Sequence, residues 1–82
     1  MTPAEAVRAA FCAVLCVPEV ADDDDLFALG GDSLAFIEVL MAVEETLGLD
    51  EIPDALAAPM LHGRHCTVAE LVAAVERVTA RP

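Results

Sequence analysis

The sequence contains no lysine, no tryptophan and no tyrosine, and its four basic residues, all arginine, face 15 acidic ones. The formal net charge is −11. A surface of that sign repels phosphate backbones and anionic membranes, which argues against nucleic-acid and membrane binding. It favours a partner with a basic surface, drawn in by electrostatic steering. No apolar run reaches the roughly 18–20 residues of a membrane-spanning helix. The opening residues, Met1-Thr2-Pro3-Ala4-Glu5, lack the basic and then apolar layout of a signal peptide. A cytoplasmic location is expected. Three cysteines, an odd number, do not make a disulfide framework. With 82 residues the chain has room for one small domain over 1–82. A catalytic pocket of roughly 300–1,000 Å³ would compete with the core for the same few apolar side chains.

What is present is apolar and helical in pattern. Apolar residues make up 57% of the chain and mean hydropathy is +0.60, far from the profile of a disordered segment. Thr2-Pro3-Ala4-Glu5 has the form of a capping box with proline at the first helical position. Val7, Ala10, Phe11, Val14 and Leu15 follow at helical spacing, and Pro18 predicts an end near Cys16. Asp32 or Ser33 can cap a second helix, for which spacing assigns Leu34, Ile37, Leu40, Met41 and Leu47 to the apolar stripe. Gly48 suits its left-handed C-terminal residue, with Leu49 closing over it. Pro53 can start a short helix over Asp54–Ala58, which Pro59 is expected to interrupt, leaving residues 59–66 irregular. A second capping box, Thr67-Val68-Ala69-Glu70, opens a last helix with Val68, Leu71, Val72, Val75 and Val78 facing inward. Fraying is expected from Thr79 to Pro82. Three main helices plus a short one predict an all-α bundle.

Residues 17–31 form a long connection, and loops of that length are uncommon in small domains unless functional or separately anchored. Leu26, Phe27 and Leu29 are the expected anchors. Asp22 to Asp25 read as a solvated turn with some capping. The most informative segment is Leu29-Gly30-Gly31-Asp32-Ser33-Leu34. Two glycines permit a tight turn just before a helix, and the serine then sits at the helix N-terminus. Free amides and the helix dipole favour negative charge there by about 0.3–1 kcal/mol. Such a serine suits a phosphate ester better than nucleophilic catalysis, because no histidine lies near it in sequence to act as a base.

Asp23 to Leu34 (Asp-Asp-Asp-Leu-Phe-Ala-Leu-Gly-Gly-Asp-Ser-Leu) resembles the core motif of phosphopantetheine carrier proteins, most of all the peptidyl carrier branch of nonribosomal peptide synthesis. Glu38 to Glu45 is similar instead to the second helix of acyl carrier proteins from fatty-acid and polyketide synthesis. Thr67-Val68-Ala69-Glu70-Leu71 is similar to the start of the last helix in the family. The resemblance implies a small four-helix bundle of the acyl-carrier-protein type, three main helices plus a short third. It implies a non-catalytic carrier. A free-standing monomer is expected separately, because Met1 stands just ahead of the first helix and long linkers are lacking, although a domain cut from a longer chain would look similar. A phosphopantetheinyl transferase would use coenzyme A and Mg²⁺ to attach 4′-phosphopantetheine to Ser33. Further partners would be an adenylation or acyl-loading enzyme and condensation, ketosynthase or tailoring enzymes. The resemblance assigns partner contacts to Asp32, Leu34, Ile37, Glu38, Met41, Glu44 and Glu45, and no metal site. The loop leans toward aminoacyl cargo and the second helix toward acyl cargo. Residues 59–66 look like extra or rearranged chain relative to the family.

Other readings of the same residues are weaker. Gly-Asp-Ser-Leu also names a hydrolase family, but the chain has no downstream Asp-x-x-His and no length for a sheet. His62, His65 and Cys66 could contribute zinc ligands, and Cys12 and Cys16 lie one turn apart, yet a zinc site needs four ligands at compact spacing. Cys12 and Cys16 read instead as buried small hydrophobes, the usual fate of free cysteine. The aspartate run lacks the frame of a calcium loop. An acidic helical interaction module without a prosthetic group is the remaining alternative.

Overall fold

The computed structural model describes residues 1–79, which form four helices: α1 (Pro3–Leu15), α2 (Ser33–Leu47), α3 (Asp54–Gly63) and α4 (Val68–Thr79). The all-α four-helix bundle is as expected, with a radius of gyration of 11.3 Å. Both capping boxes are present. The Thr2 hydroxyl accepts from the Glu5 amide at 3.2 Å while Glu5 Oε1 accepts from the Thr2 amide at 2.8 Å. These bonds hold the Glu5 carboxyl below its ordinary range, the backbone bond to Thr2 being the larger cause. α1 ends at Cys16, which takes the left-handed conformation (φ 57). Gly48 does the same after α2 (φ 67), and the Leu49 amide closes onto the Glu44 carbonyl.

α1 packs against α2 and α4, and one core runs through Val7, Phe11, Leu26, Phe36, Leu71 and Val75, all fully buried. The face of α2 differs from the one that spacing suggests. Phe36, Val39, Leu40 and Val43 are buried, whereas Leu34, Ile37 and Met41 are 66%, 41% and 60% exposed. α2 is apolar around most of its circumference, so periodicity alone offers two stripes. The larger ring at Phe36 and the two valines fill the volume against α1. In α4, Val68, Leu71 and Val75 are buried as expected, and Ala74 joins them, while Val72 and Val78 are half-buried.

α3 is longer than its sequence suggests. It runs through Pro59 to Gly63, so residues 59–63 are helical rather than irregular. Proline removes one amide bond, which would go to the Ala55 carbonyl. Both residues are exposed, so water can serve that carbonyl. Buried Ala57 and Met60, with Leu56 and Leu61 packed against the core, hold the helix across the proline. It ends at Arg64, left-handed at φ 50, with the His65 amide bonded to the Met60 carbonyl at 3.1 Å. Cys12 and Cys16 are not buried: Cys12 is half-buried, Cys16 is exposed, and Cys66 is the core cysteine. The buried face of α1 is Ala6, Val7, Ala10 and Phe11, which turns both thiols away. Of the segment expected to fray, Thr79 is helical and residues 80–82 lie outside the described residues.

Candidate functional site

The loop before α2 is built as a compact turn. The Leu29 amide donates to the Asp25 carbonyl, Gly30 to Phe27 and Gly31 to Leu26, at 2.9, 3.1 and 2.9 Å. Gly30 has φ 96, a conformation that a side chain would strain. Gly31 is buried, and a Cβ there would meet the Leu26 carbonyl oxygen at 2.8 Å. Both glycines are therefore required, for different reasons. Leu26 is fully buried and Phe27 half-buried, as loop anchors should be. Leu29 is not an anchor: it is 44% exposed, because the turn directs it outward next to the glycines.

Asp32 caps α2, its Oδ1 accepting from the Ala35 amide at 2.8 Å. Ser33 is thereby released from capping. It occupies the first helical position, is exposed, and its hydroxyl has no hydrogen-bond partner among the described residues. A serine hydroxyl free at a helix N-terminus can accept a phosphodiester whose charge the dipole favours. No histidine or cysteine makes a hydrogen bond to it among the described residues.

Of the four consecutive aspartates, Asp25 forms a side-chain clasp across the fold. Asp25 Oδ1 accepts from the Cys66 amide at 2.8 Å and from the Phe27 amide at 3.3 Å. The Leu26 amide returns a bond to the Cys66 carbonyl at 2.9 Å, and the Val68 and Ala69 amides donate to the carbonyls of Asp24 and Asp22 at 3.1 and 2.9 Å. Those two amides are among the free donors that begin any helix. The loop that delivers Ser33 therefore caps α4 with its backbone. Asp24 Oδ2 accepts from the Ala21 amide at 2.8 Å, and Asp22 pairs with Arg8. Nothing in a run of identical residues marks Asp25 as the one that reaches across the fold.

Leu34, Ile37, Glu38, Met41 and Glu45 lie together on the exposed side of α2 below Ser33. Asp32 and Glu44 have intramolecular partners, since Glu44 Oε2 accepts from the Ile52 amide at 2.8 Å. Between α2 and α3 lies a cavity of about 600 Å³, lined by Phe36, Ile37, Leu40, Met41 and Leu61 together with Asp50, Glu51 and Asp54. At the end of α3, the Arg64 guanidinium sits 5.0 Å from the Phe27 ring, which stacks on Phe36 at 6.0 Å. His65 Nδ1 is 2.8 Å from Glu70 Oε1. Burial, with the charges of Glu70 and Asp25 adding to it, pushes the Cys66 thiol up to about 12. That disfavours the thiolate a zinc site would need, and no group of three metal-ligating side chains occurs among the described residues. No helix among them is long and apolar enough to cross a membrane.

Comparison with known proteins agrees with the four-helix fold. The family model described as "Phosphopantetheine attachment site" matches residues 5–75. A solved structure titled "Non Ribosomal PCP domain" is 31% identical, aligns over 89% of this chain and 87% of its own, and superposes with a TM-score of 0.63. No curated protein sequence matches the chain. The chain thus belongs to the phosphopantetheine-attachment family of carrier domains, whose prosthetic group is covalently held 4′-phosphopantetheine.

Proposed function

We propose that Ser33 is the attachment residue and that the chain carries aminoacyl or peptidyl thioesters in nonribosomal peptide assembly. One observation carries the site: the serine that follows Gly30-Gly31-Asp32 is exposed at the first position of α2 with its hydroxyl free, because Asp32 does the capping. The residues fit the group, as the N-terminal amides and dipole of α2 favour a phosphodiester there by about 0.3–1 kcal/mol. When attached, the group supplies a terminal thiol that holds cargo as a thioester. The aminoacyl cargo is supported by the peptidyl-carrier character of the loop and by the nonribosomal title of the matched structure.

The chain's own residues position the site and present it. The Leu26–Gly31 turn fixes the approach to α2, and the Asp25 clasp ties that turn to α4. Leu34, Ile37 and Met41 form an apolar face for partner enzymes, flanked by Glu38 and Glu45. Exposed carboxylates on that face steer basic partner surfaces over about 8–10 Å, so association slows as salt rises.

Incubation with coenzyme A, Mg²⁺ and a broad-specificity phosphopantetheinyl transferase is expected to add one phosphopantetheinyl group, read by mass spectrometry. Modification persisting in Ser33→Ala would refute the assignment, and an unmodified wild-type chain would favour an acidic interaction module. The α2–α3 cavity favours a second reading, an acyl cargo shielded between those helices. Loading by adenylation enzymes rather than acyl-loading enzymes separates the two.

A further inference from the structure

Of the four arginines and two histidines in the chain, three fall at His62, Arg64 and His65. They occupy the last turn of α3 and the turn beyond it, the stretch that lengthens α3 past Pro59. All three are exposed. His65 is engaged by Glu70, but Arg64 has no carboxylate within ion-pair distance among the described residues, although the chain has 15 acidic side chains. The Phe27 ring holds the guanidinium in place at 5.0 Å, and arginine stacked in this way keeps the N–H groups at its edge free. His62 lines the α2–α3 cavity with Ile37 and Met41, so the corner that carries Arg64 is continuous with the apolar face of α2.

An enzyme that brings its active site to Ser33 must cover this end of the bundle. A specific interface buries about 800 Å² on each partner, a disc of about 16 Å radius. On a chain with 4758 Å² of accessible surface that is about one-sixth of the whole. The path from Arg64 to Phe27 to Phe36, in steps of 5.0 and 6.0 Å, ends one turn of α2 from Ser33. A footprint of about 16 Å radius around Ser33 is wide enough to reach Arg64. Covering a guanidinium without supplying an acceptor is costly, so the covering surface needs an acidic group at that point.

Building on the assignment of Ser33 as the modified residue, we propose that Arg64, with His62 beside it, is a docking contact for an acidic side chain of the phosphopantetheinyl transferase. The transferase then meets a surface of two signs: carboxylates at Glu38 and Glu45 along α2, and a cation at the end of α3. A uniform −11 would attract a basic enzyme without orienting it. One opposite charge at a fixed place sets the orientation and rejects wrong ones.

The test uses the apo chain, a broad-specificity transferase, coenzyme A and Mg²⁺, with holo-protein formation followed by mass. Arg64→Glu is expected to raise KM for the carrier about tenfold or more, with kcat within about twofold, while Arg64→Lys stays within about threefold of wild type. Arg64→Met keeps an apolar cover over Phe27 without the charge. It should raise KM with an unchanged thermal midpoint, which separates docking from folding. Arg77→Glu, the same charge change on α4, should have little effect. KM values within twofold of wild type for both Arg64→Glu and Arg64→Met would overturn the proposal. So would a rise confined to KM for coenzyme A, which would place Arg64 on the coenzyme's phosphates. Failure to modify the wild-type chain would instead overturn the carrier assignment on which the proposal rests.

Discussion

Replacing Asp25 by alanine isolates the contact that joins the Ser33 loop to the last helix. The Asp25 carboxylate accepts the Cys66 amide at 2.8 Å across 41 residues of chain, and Cys66 is fully buried. Hydrogen bonds to a charged acceptor contribute about 1.5–3 kcal/mol, and a buried donor left without a partner costs about 1–3 kcal/mol. The Phe27 amide, at 3.3 Å, adds a weaker contact. Asp25→Ala is therefore expected to destabilise by about 2–3 kcal/mol, measured by urea unfolding. For a domain of this size that corresponds to a thermal midpoint lower by roughly 10–20 °C. Asp25→Asn keeps an acceptor oxygen and should lose only about 1 kcal/mol. Removing a negative charge from a chain of −11 also relieves repulsion, so Asp23→Ala serves as the reference. Asp23 is exposed and makes no side-chain hydrogen bond or ion pair among the described residues. It should change stability by no more than about 0.5 kcal/mol. Hydrogen exchange at the Leu26 and Gly31 amides should quicken in Asp25→Ala and not in Asp23→Ala. Equal stability of the two alanine variants would refute the clasp.

Leu71 is fully buried in α4, and Leu71→Ala should cost about 2–5 kcal/mol by the same unfolding measurement; a near-neutral result would mean that α4 packs in another register. Gly31→Ala puts a Cβ 2.8 Å from a backbone oxygen and 3.0 Å from Leu26 Cγ, so it should destabilise by about 1–3 kcal/mol and slow modification of Ser33; an unaffected rate would refute the tight turn. Thiol reagents at neutral pH should label Cys16 rapidly and Cys66 only on unfolding. Because the folded thiol is raised from 9.0 to about 12, the neutral Cys66 favours folding fully below pH 9.0, and that contribution is lost as pH climbs toward 12. Cys66→Ser should change the slope of stability in that alkaline window, and an identical pH profile would count against burial as the cause.

Local chemistry fixed much of this protein. Thr2 and Thr67 with their glutamates mark two helix starts, because a capping box needs only neighbours in sequence. Gly30-Gly31-Asp32-Ser33 marks the candidate site for the same reason: turn, cap and free hydroxyl lie within four residues. Three things were decided by tertiary structure. The choice between two apolar stripes on α2 depended on which one α1 could pack against, and that left Leu34, Ile37 and Met41 exposed. The passage of α3 through Pro59 depended on Ala57 and Met60 reaching the core, since burial outweighed one lost hydrogen bond. The role of Asp25 depended on a backbone amide 41 residues away, and no pattern along the chain encodes which of four equal carboxylates will meet it.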